Sequence, residues 1–412
     1  MKHLLKLGLC VLLSLSLLLS ACNKPSEEDG PLTADDVKAR VIKLMTESNE
    51  RQDPSTLFSF FDGDFSVSDI TGKTEHGETI RSIKRKGAVT QVSTSIMTYY
   101  GVEAAGFLFY ADDYQGEAGV YRVLPLDADA AELSTIFTVF GIDTSAFCGG
   151  DSDDTMPTLS PDMLTVSEDL STCTFSKDYI DTIAREICEA MSYNAAQTAD
   201  FLKKYQGSGT YSVAENKLSF EISLNDRALG NLHQLSTVSV DAEGRVSTTA
   251  LMEYSNPSKG IAVPIVSEVS FRDVVYREGV PVSATISLRS TADVSYSEGS
   301  YPHGPYLITA TEEVNSTFVL DCTNPSAPKA TATSKKVRVE SCEGDSMTTT
   351  QLLSLSIDQS SSTHLTFSEI FNGHPDASMT AGRLEFATPA SFPTVPSRVT
   401  NAITKYINDN FS

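Results

Sequence analysis

Apolar residues recur along this chain at two spacings, one typical of helices and one typical of strands. Near the start, four of them recur at the spacing of one helix face, at Val37, Val41, Leu44 and Met45. Thr33 and Asp36, just before and within this stretch, match a capping box, in which two side chains satisfy free backbone N–H groups at a helix N-terminus. In contrast, apolar and polar residues alternate over 218–224, which predicts a strand with one buried face.

The same two patterns alternate along the rest of the chain. Strand-like segments fill 65–124, a long helical region follows over 176–206, and further strands occupy much of 218–369. An apolar stripe after Ser397 predicts a C-terminal helix. This order predicts an α+β fold in which curled, half-barrel-like antiparallel sheets are covered by helices on their apolar faces.

Length and composition predict two sub-domains. The chain has 412 residues, more than one typical domain. We expect an N-terminal α+β domain over 33–145 and a C-terminal β-rich domain with leading and terminal helices over 176–412. Between them, 146–175 is flanked by cysteines and rich in glycine, proline and acids, which predicts an acidic loop.

The first 21 residues have the composition of a secretory signal peptide. Lys2 and Lys6 precede an apolar run over 7–19, and small residues follow it. This run is too short to cross a bilayer, which takes about 20 apolar residues, but it fits a secretory signal. We therefore expect residues 1–21 to be removed after export.

Leu19-Ser20-Ala21-Cys22 resembles the lipobox of bacterial lipoproteins. In that family diacylglycerol is joined to the cysteine sulfur before cleavage, so the resemblance implies that Cys22 becomes the lipidated first residue. An ordinary cleaved signal with an unrelated cysteine is the alternative. Because two or more acyl chains hold a protein stably at a bilayer, we expect a cell-envelope protein outside the cytoplasm, at the outer membrane or cell surface.

Residues 22–32 are polar and predict a solvated acidic tether between membrane and fold. Within them, Ser26-Glu27-Glu28-Asp29 resembles a surface-export signal of Bacteroidetes lipoproteins, with a plain acidic linker as the alternative. The order of helix, strand meander and helix in the body is similar to half-barrel lipoproteins that hold acyl chains between sheet and helix. That similarity, which is in arrangement alone, implies a ligand groove.

Composition disfavours several partners. The chain has 54 acidic and 31 basic residues and a formal net charge of −23, which disfavours nucleic acid and anionic membrane surfaces because both attract basic patches. It has no Trp, the largest side chain for stacking on sugars, so carbohydrate binding is also disfavoured. The one dense basic cluster, Arg81, Lys84, Arg85 and Lys86, predicts either an anion site or a charged edge strand.

The cysteines fit an oxidising compartment. Cys322 and Cys342 each directly follow a predicted strand, and a proline-rich turn lies between the two strands. This arrangement predicts a disulfide between them. A second predicted disulfide joins Cys148 and Cys173 across the acidic loop. Cys188 lies on a helical apolar stripe, where we expect a buried thiol.

A calcium loop is the only metal site that the spacing of acidic residues predicts. Asp151, Asp153, Thr155 and Asp162 occupy the first, third, fifth and twelfth positions of such a loop. Met156 replaces the glycine that the sharp turn requires, so a solvated acidic loop is the alternative. Zinc motifs such as HExxH and CxxC, and phosphate-binding glycine loops, are absent from the sequence.

Aromatic residues gather in a turn-rich segment that is a candidate ligand site. Tyr296, Tyr301, His303 and Tyr306 could stack on sugars or line an apolar mouth. The alternative is a hairpin whose rings pack on neighbouring side chains.

Together these patterns predict a non-catalytic, lipid-anchored protein that binds an apolar or lipid-like small ligand in a groove between sheet and helix. One alternative is a surface adhesin or assembly subunit that binds other envelope proteins. Another is a hydrolase of surface polymers, because 54 acidic residues leave room for a catalytic carboxylate pair that sequence cannot locate. We expect no cofactor apart from the candidate calcium ion.

Overall fold

The computed structural model describes residues 32–48, 54, 56–57, 64–73, 79–125, 159–259, 261–293, 296–298, 306–324, 329–342, 345–358, 364–385 and 394–411. Four helices lie in these ranges: α1 (Ala34–Ser48), α2 (Lys177–Ala190), α3 (Ala195–Lys204) and α4 (Ser397–Phe411).

Strands make up most of the described part of the chain. The first ten are β1 (Phe65–Lys73), β2 (Ile80–Lys86), β3 (Val89–Thr94), β4 (Thr98–Ala104), β5 (Phe107–Tyr114), β6 (Glu117–Pro125), β7 (Leu164–Val166), β8 (Thr172–Phe175), β9 (Gln206–Ser212) and β10 (Lys217–Asp226). The next ten are β11 (Gly230–Val240), β12 (Val246–Asn256), β13 (Ile261–Arg277), β14 (Val280–Asp293), β15 (Tyr296–Glu298), β16 (Tyr306–Asp321), β17 (Lys329–Cys342), β18 (Asp345–Asp358), β19 (His364–Phe371) and β20 (His374–Glu385).

The sheet-dominated α+β class predicted from the sequence is confirmed, and the strands pair antiparallel. The sheets are open and uncurled, in contrast to the curled half-barrels that were expected. Curling a sheet requires bulges or glycine kinks along its strands. β10 pairs with β11, and β11 with β12, along their whole length without a register shift, so this region has no device that would bend it.

The described residues form two compact units whose boundaries differ from those expected at 33–145 and 176–412. The first unit draws on 1–57, 149–323 and 336–347, and the second on 58–148, 324–335 and 348–412. The physical reason is a strand pairing between the two ends of the chain: β1 pairs with β20, for example at Ile70 and Ala381. The N-terminal meander therefore belongs to the same sheet as the last strands.

Each unit contains one antiparallel meander. In the first unit β7 to β14 pair in chain order, and β16 follows β14. In the second unit β18, β19, β20 and β1 are neighbours, and β2 to β6 continue from β1. The acidic loop expected over 146–175 is shorter than predicted, because its last part forms the hairpin β7–β8 and extends the first sheet at β9.

The helix termini follow the predicted capping chemistry. Thr33 N–H donates to Asp36 Oδ2 at 2.9 Å, and Asp36 N–H donates to Thr33 Oγ1 at 3.3 Å, which confirms the capping box of α1. The helical region predicted over 176–206 consists of two helices, α2 and α3. The break has a local cause, since the Asn194 side chain accepts from the N–H groups of Ala196 and Gln197 and starts a new helix there.

The alternation of β10 places its apolar residues on one buried face, as predicted: Leu218, Phe220, Ile222 and Leu224 are each at most 4% exposed. α2 packs against β9, the strand next to β10. Two glycines of β9, Gly207 and Gly209, let the helix approach closely. A Cβ atom at Gly209 would lie 2.7 Å from the Phe220 ring and 3.0 Å from Ile180 of α2.

We expect Gly209→Ala to lower the free energy of unfolding by about 1–3 kcal/mol, because the added methyl group overpacks a closed helix–sheet contact. Chemical denaturation followed by circular dichroism measures the change. Gly119→Ala is the matched control, since its Cβ would meet nothing nearer than Asp112 Oδ1 at 3.9 Å. Equal losses in the two variants would contradict close packing of α2 on β9.

The predicted Cys322–Cys342 disulfide is wrong. Both thiols are free, and they lie at opposite ends of two adjacent strands. The Thr309 hydroxyl, near the start of β16, donates to Ser341 O at the end of β17 over 3.4 Å. Cys322 follows Thr309 by about 13 residues, or roughly 40 Å at 3.3 Å per residue, whereas a disulfide needs Cα atoms within about 7 Å.

The other cysteines of the described ranges are buried. Cys188 is 0% exposed, as predicted, and burial raises the pKa of its thiol to about 11. Such a thiol is inert as a nucleophile at neutral pH. Cys173 is also free and 0% exposed, and its expected partner Cys148 lies outside the described residues.

Candidate functional site

The aromatic segment predicted as a ligand site is described only at its two ends. Tyr296 lies on β15, opposite Ile308, and Tyr306 opens β16, opposite Glu298. The hairpin therefore brings the strands of these two tyrosines together. Tyr301, His303 and Cys22, the predicted lipidation site, lie outside the described residues, so the proposed roles of these residues stay predictions.

Of the four predicted calcium ligands, one lies in the described ranges. Asp162 lies in the 3-10 helix Pro161–Met163 and is exposed, and a hydrogen bond with the Ser160 side chain lowers the pKa of its carboxyl. Asp151, Asp153 and Thr155 lie outside the described ranges. Within those ranges, no group of three or more His, Cys, Asp or Glu side chains is arranged to hold a metal ion.

The basic cluster does not lie on an edge strand. β2 pairs with β1 on one side and β3 on the other, so the charged-edge interpretation is wrong. Its Arg85 is only 7% exposed. The Nε of Arg85 donates to Gly87 O at 3.1 Å, and its Nη2 lies 3.6 Å from Glu103 Oε1.

The first candidate site is the helix–sheet layer of the first unit, formed by α2 and the buried face of β9 to β12. Its walls are aromatic. The Phe175 ring lies 4.8 Å from that of Phe220, and the Tyr179 ring of α2 lies 5.4 Å from Phe175 and 6.2 Å from Phe220, centroid to centroid. Tyr179 is 2% exposed.

Three polar atoms in this layer are buried without a hydrogen-bond partner among the described residues. They are Tyr179 Oη, Gln234 Oε1 and Ser236 Oγ, and their residues are at most 4% exposed. Ser236 lies directly opposite Phe220 and Ala250, and Gln234 opposite Ile222 and Met252. Buried polar groups are paired in native proteins as a rule, and an unpaired one costs about 1–3 kcal/mol.

Neighbouring buried groups in the same sheet are paired. The hydroxyls of Tyr193 and Tyr254 both donate to Leu229 O, at 3.2 and 3.1 Å. Asn256, which is 0% exposed, donates from Nδ2 to Ala228 O at 3.3 Å and to Tyr254 Oη at 3.2 Å. These three residues therefore differ from Gln234 and Ser236, whose Oε1 and Oγ atoms have no hydrogen-bond partner among the described residues.

The electrostatics of this layer exclude a charged tyrosine. Burial, and to a smaller extent Glu186, raise the pKa of Tyr179 far above its ordinary value, so its hydroxyl is neutral and both donates and accepts. Apart from Asp226 at the end of β10, which pairs with Lys204 at 2.8 Å, the inward residues of β10, β11 and β12 include no Asp, Glu, His, Lys or Arg. The layer can therefore bind apolar surface and neutral hydrogen-bonding groups.

Gln234 and Ser236 were missed by the sequence reasoning, although a signal for them exists. Inward positions of β11 alternate over 232–240, and two polar residues interrupt an otherwise apolar set there. A polar residue at an inward position is the informative exception in an alternating strand.

A second candidate site lies in the second unit, where three tyrosines meet on β4, β5 and β6. The ring of Tyr121 lies 6.2 Å from that of Tyr99 and 6.1 Å from that of Tyr110, at interplanar angles of 74° and 43°. Tyr121 is 55% exposed. We call these three residues the tyrosine face.

Comparisons with known proteins identified no relative of this chain. No protein-family model matches the chain, and no curated protein or solved structure matches it either. Among the helices in the described ranges, none has the length and apolar character to cross a membrane.

Proposed function

We propose that this protein is a non-catalytic, lipid-anchored protein of the bacterial cell envelope that binds a neutral amphipathic ligand in the helix–sheet layer of its first unit. The observation that carries the proposal is the set of three unpartnered buried atoms, on Tyr179, Gln234 and Ser236. A ligand that presents hydrogen-bonding atoms to them removes the cost of leaving them unpaired.

The surroundings define the chemistry of the ligand. Aromatic and aliphatic side chains next to the three atoms, including Phe220 and Met252, favour an apolar body. The amide oxygen of Gln234 accepts a hydrogen bond, and the hydroxyls of Ser236 and Tyr179 donate and accept. A single-chain lipid with a hydroxyl or carbonyl head group has both parts. The described inward residues of β10 to β12 include no Lys, Arg or His that would pair with a carboxylate or phosphate head group.

The fold supplies the means to hold such a ligand. In this proposal α2 and α3 cover the apolar face of the sheet, and the ligand lies between them and β10 to β12. Contacts of α2 with β9 and of α3 with β10 support this arrangement. Small side chains at Ser236 and Ala250 in one cross-strand row leave more room above the sheet than the Phe or Leu residues of neighbouring rows.

The location is proposed from the sequence. Leu19-Ser20-Ala21-Cys22 provides the anchor, and residues 22–32 provide a tether that keeps the body near the membrane surface. A lipid-binding body fixed at a bilayer encounters lipid ligands at high local concentration.

The test is lipid occupancy in Ser236→Val. We purify the mature chain without its anchor, analyse it by native mass spectrometry, and identify the bound species after organic extraction. Wild type is expected to carry a neutral single-chain lipid, and the variant to lose about fivefold or more in occupancy, the value of roughly one hydrogen bond. The unliganded variant is expected to be as stable as wild type or more stable, because it buries one unpaired hydroxyl fewer.

Thr237→Val is the matched control, since Thr237 is the next residue of β11 and faces the other side of the sheet. It is expected to leave occupancy unchanged. An extract of wild type that contains no amphipathic molecule would overturn the proposal, as would equal losses of occupancy in the two variants.

A further inference from the structure

A buried guanidinium with an unused nitrogen lies in the second unit. The Nε of Arg85, on β2, donates to Gly87 O, and its Nη2 lies 3.6 Å from Glu103 Oε1. Its Nη1 has no hydrogen-bond partner among the described residues. The Arg85 side chain is 9% exposed and that of Glu103 is 30% exposed. A buried charge with an unsatisfied donor is costly, so a ligand oxygen at Nη1 would be strongly favoured.

The strand register places this ion pair beside the tyrosine face. Arg85 is opposite Thr90, Thr90 is opposite Gly101, and Gly101 is opposite Tyr110. Residues opposite each other share one face of a sheet. The Arg85 side chain extends across β3 to Glu103. Glu103 is the diagonal neighbour of Tyr110 on the next strand, and the Cα atoms of such diagonal neighbours are about 7–8 Å apart.

Gly101, the β4 residue between them, is buried and has no side chain. A Cβ atom built there would be in ordinary van der Waals contact with Leu108, Thr90 and Tyr110, the nearest at 3.6 Å. A larger residue would separate the guanidinium from the rings, and glycine keeps this position of β4 free of a side chain.

The geometry points to a saccharide-binding site on this face of the second unit, in which Arg85 and Glu103 bind neighbouring hydroxyls of a neutral sugar and the tyrosine face packs against its C–H surface. A hydroxyl oxygen accepts from Arg85 Nη1, and the adjacent hydroxyl donates to Glu103. Aromatic rings cover the apolar face that the C–H groups of a pyranose present.

Charge favours a neutral sugar over an anionic one. Glu103 already balances Arg85 at 3.6 Å, and Asp112, opposite Tyr99 in the register, adds a further acid beside the rings. The whole chain carries a net charge of −23, which repels anions. The lack of Trp, which disfavoured sugars at the level of composition, is offset by three tyrosines that meet in space.

The experiment titrates the mature chain with soluble neutral hexasaccharides of glucose, mannose, galactose and xylose. Calorimetry gives the affinity, and saturation-transfer NMR shows which sugar protons touch the protein. Wild type is expected to bind at least one of the four. Tyr121→Ala is expected to weaken binding about tenfold and to remove saturation transfer to the C–H protons of one sugar face.

Two further variants separate the proposed roles. Glu103→Gln keeps the size of the side chain and is expected to weaken binding about tenfold while the C–H contacts stay visible in the NMR spectra. Phe371→Ala removes another exposed ring of the same unit, on β19, and is expected to leave the affinity within about twofold. The inference is overturned if none of the four sugars binds wild type, or if Tyr121→Ala and Phe371→Ala have the same effect. Both outcomes leave the lipid-occupancy experiment of the first unit untouched.

Discussion

Phe220→Ala is expected to lower the free energy of unfolding of the first unit by about 3–5 kcal/mol, the usual cost of deleting a buried ring. Phe220 is 3% exposed and touches Phe175 and Tyr179, and its ring lies over Gly209. Its removal opens a cavity bounded by rigid rings on one side and backbone on the other. Neither wall can collapse into the space, which places the expected loss at the upper end of the range.

The measurement is urea denaturation followed by far-ultraviolet circular dichroism. Phe371→Ala is the comparison, because Phe371 is 41% exposed and its loss is expected to cost less than about 1 kcal/mol. If Phe220→Ala were as mild as Phe371→Ala, the contact of Phe220 with Phe175 and Tyr179 would not be the packed core described here.

Local patterns predicted the parts of the fold that local forces determine. The alternation of β10 predicted its buried face because every second side chain of a strand points the same way. Thr33 and Asp36 predicted the start of α1 because the capping box acts within one turn of the chain. Cys188 was correctly predicted as buried because it lies on the apolar stripe of α2.

No local sequence pattern predicted the pairing of strands that lie far apart along the chain. The pairing of β1 with β20 joins Ile70 to Ala381, and nothing near either residue specifies the other. The disulfide prediction failed for a related reason. It treated Cys322 and Cys342 as neighbours, whereas Cys322 follows the last residue of β16 and Cys342 lies at the end of β17 that adjoins the start of β16, so most of the length of β16 separates them.

The two candidate sites differ in the same way: sequence could have predicted one of them and not the other. Gln234 and Ser236 interrupt an apolar alternation, so sequence could have identified the helix–sheet layer as unusual. The tyrosine face could not be predicted, because it depends on the register between three strands and on a bulge between Tyr110 and Ala111. A bulge adds one residue to a strand and changes which side chains share a face, and here it places Tyr121 beside two rings.

Cys22→Ser is expected to abolish lipid attachment completely, because a serine hydroxyl cannot form the thioether that holds diacylglycerol. Cells grown with an alkyne-tagged fatty acid are expected to show strong labelling of wild type and background labelling of the variant. The variant is also expected to leave the membrane fraction, or to stay there only through its uncleaved signal peptide. Electrophoretic mobility separates these two forms, since the uncleaved chain is longer by residues 1–21.

Cys10→Ser is the matched control for this change. Cys10 lies within the apolar run over 7–19, in the segment that we propose is removed as a signal peptide, so its replacement is expected to leave fatty-acid labelling and membrane association as in wild type. Equal labelling of wild type and Cys22→Ser would mean that another residue carries the lipid, or that none does. The body would then be free to leave the membrane surface. A neutral lipid would reach its helix–sheet layer only by diffusion through water, where such molecules are scarce, and the proposed function would lose the local concentration on which it depends.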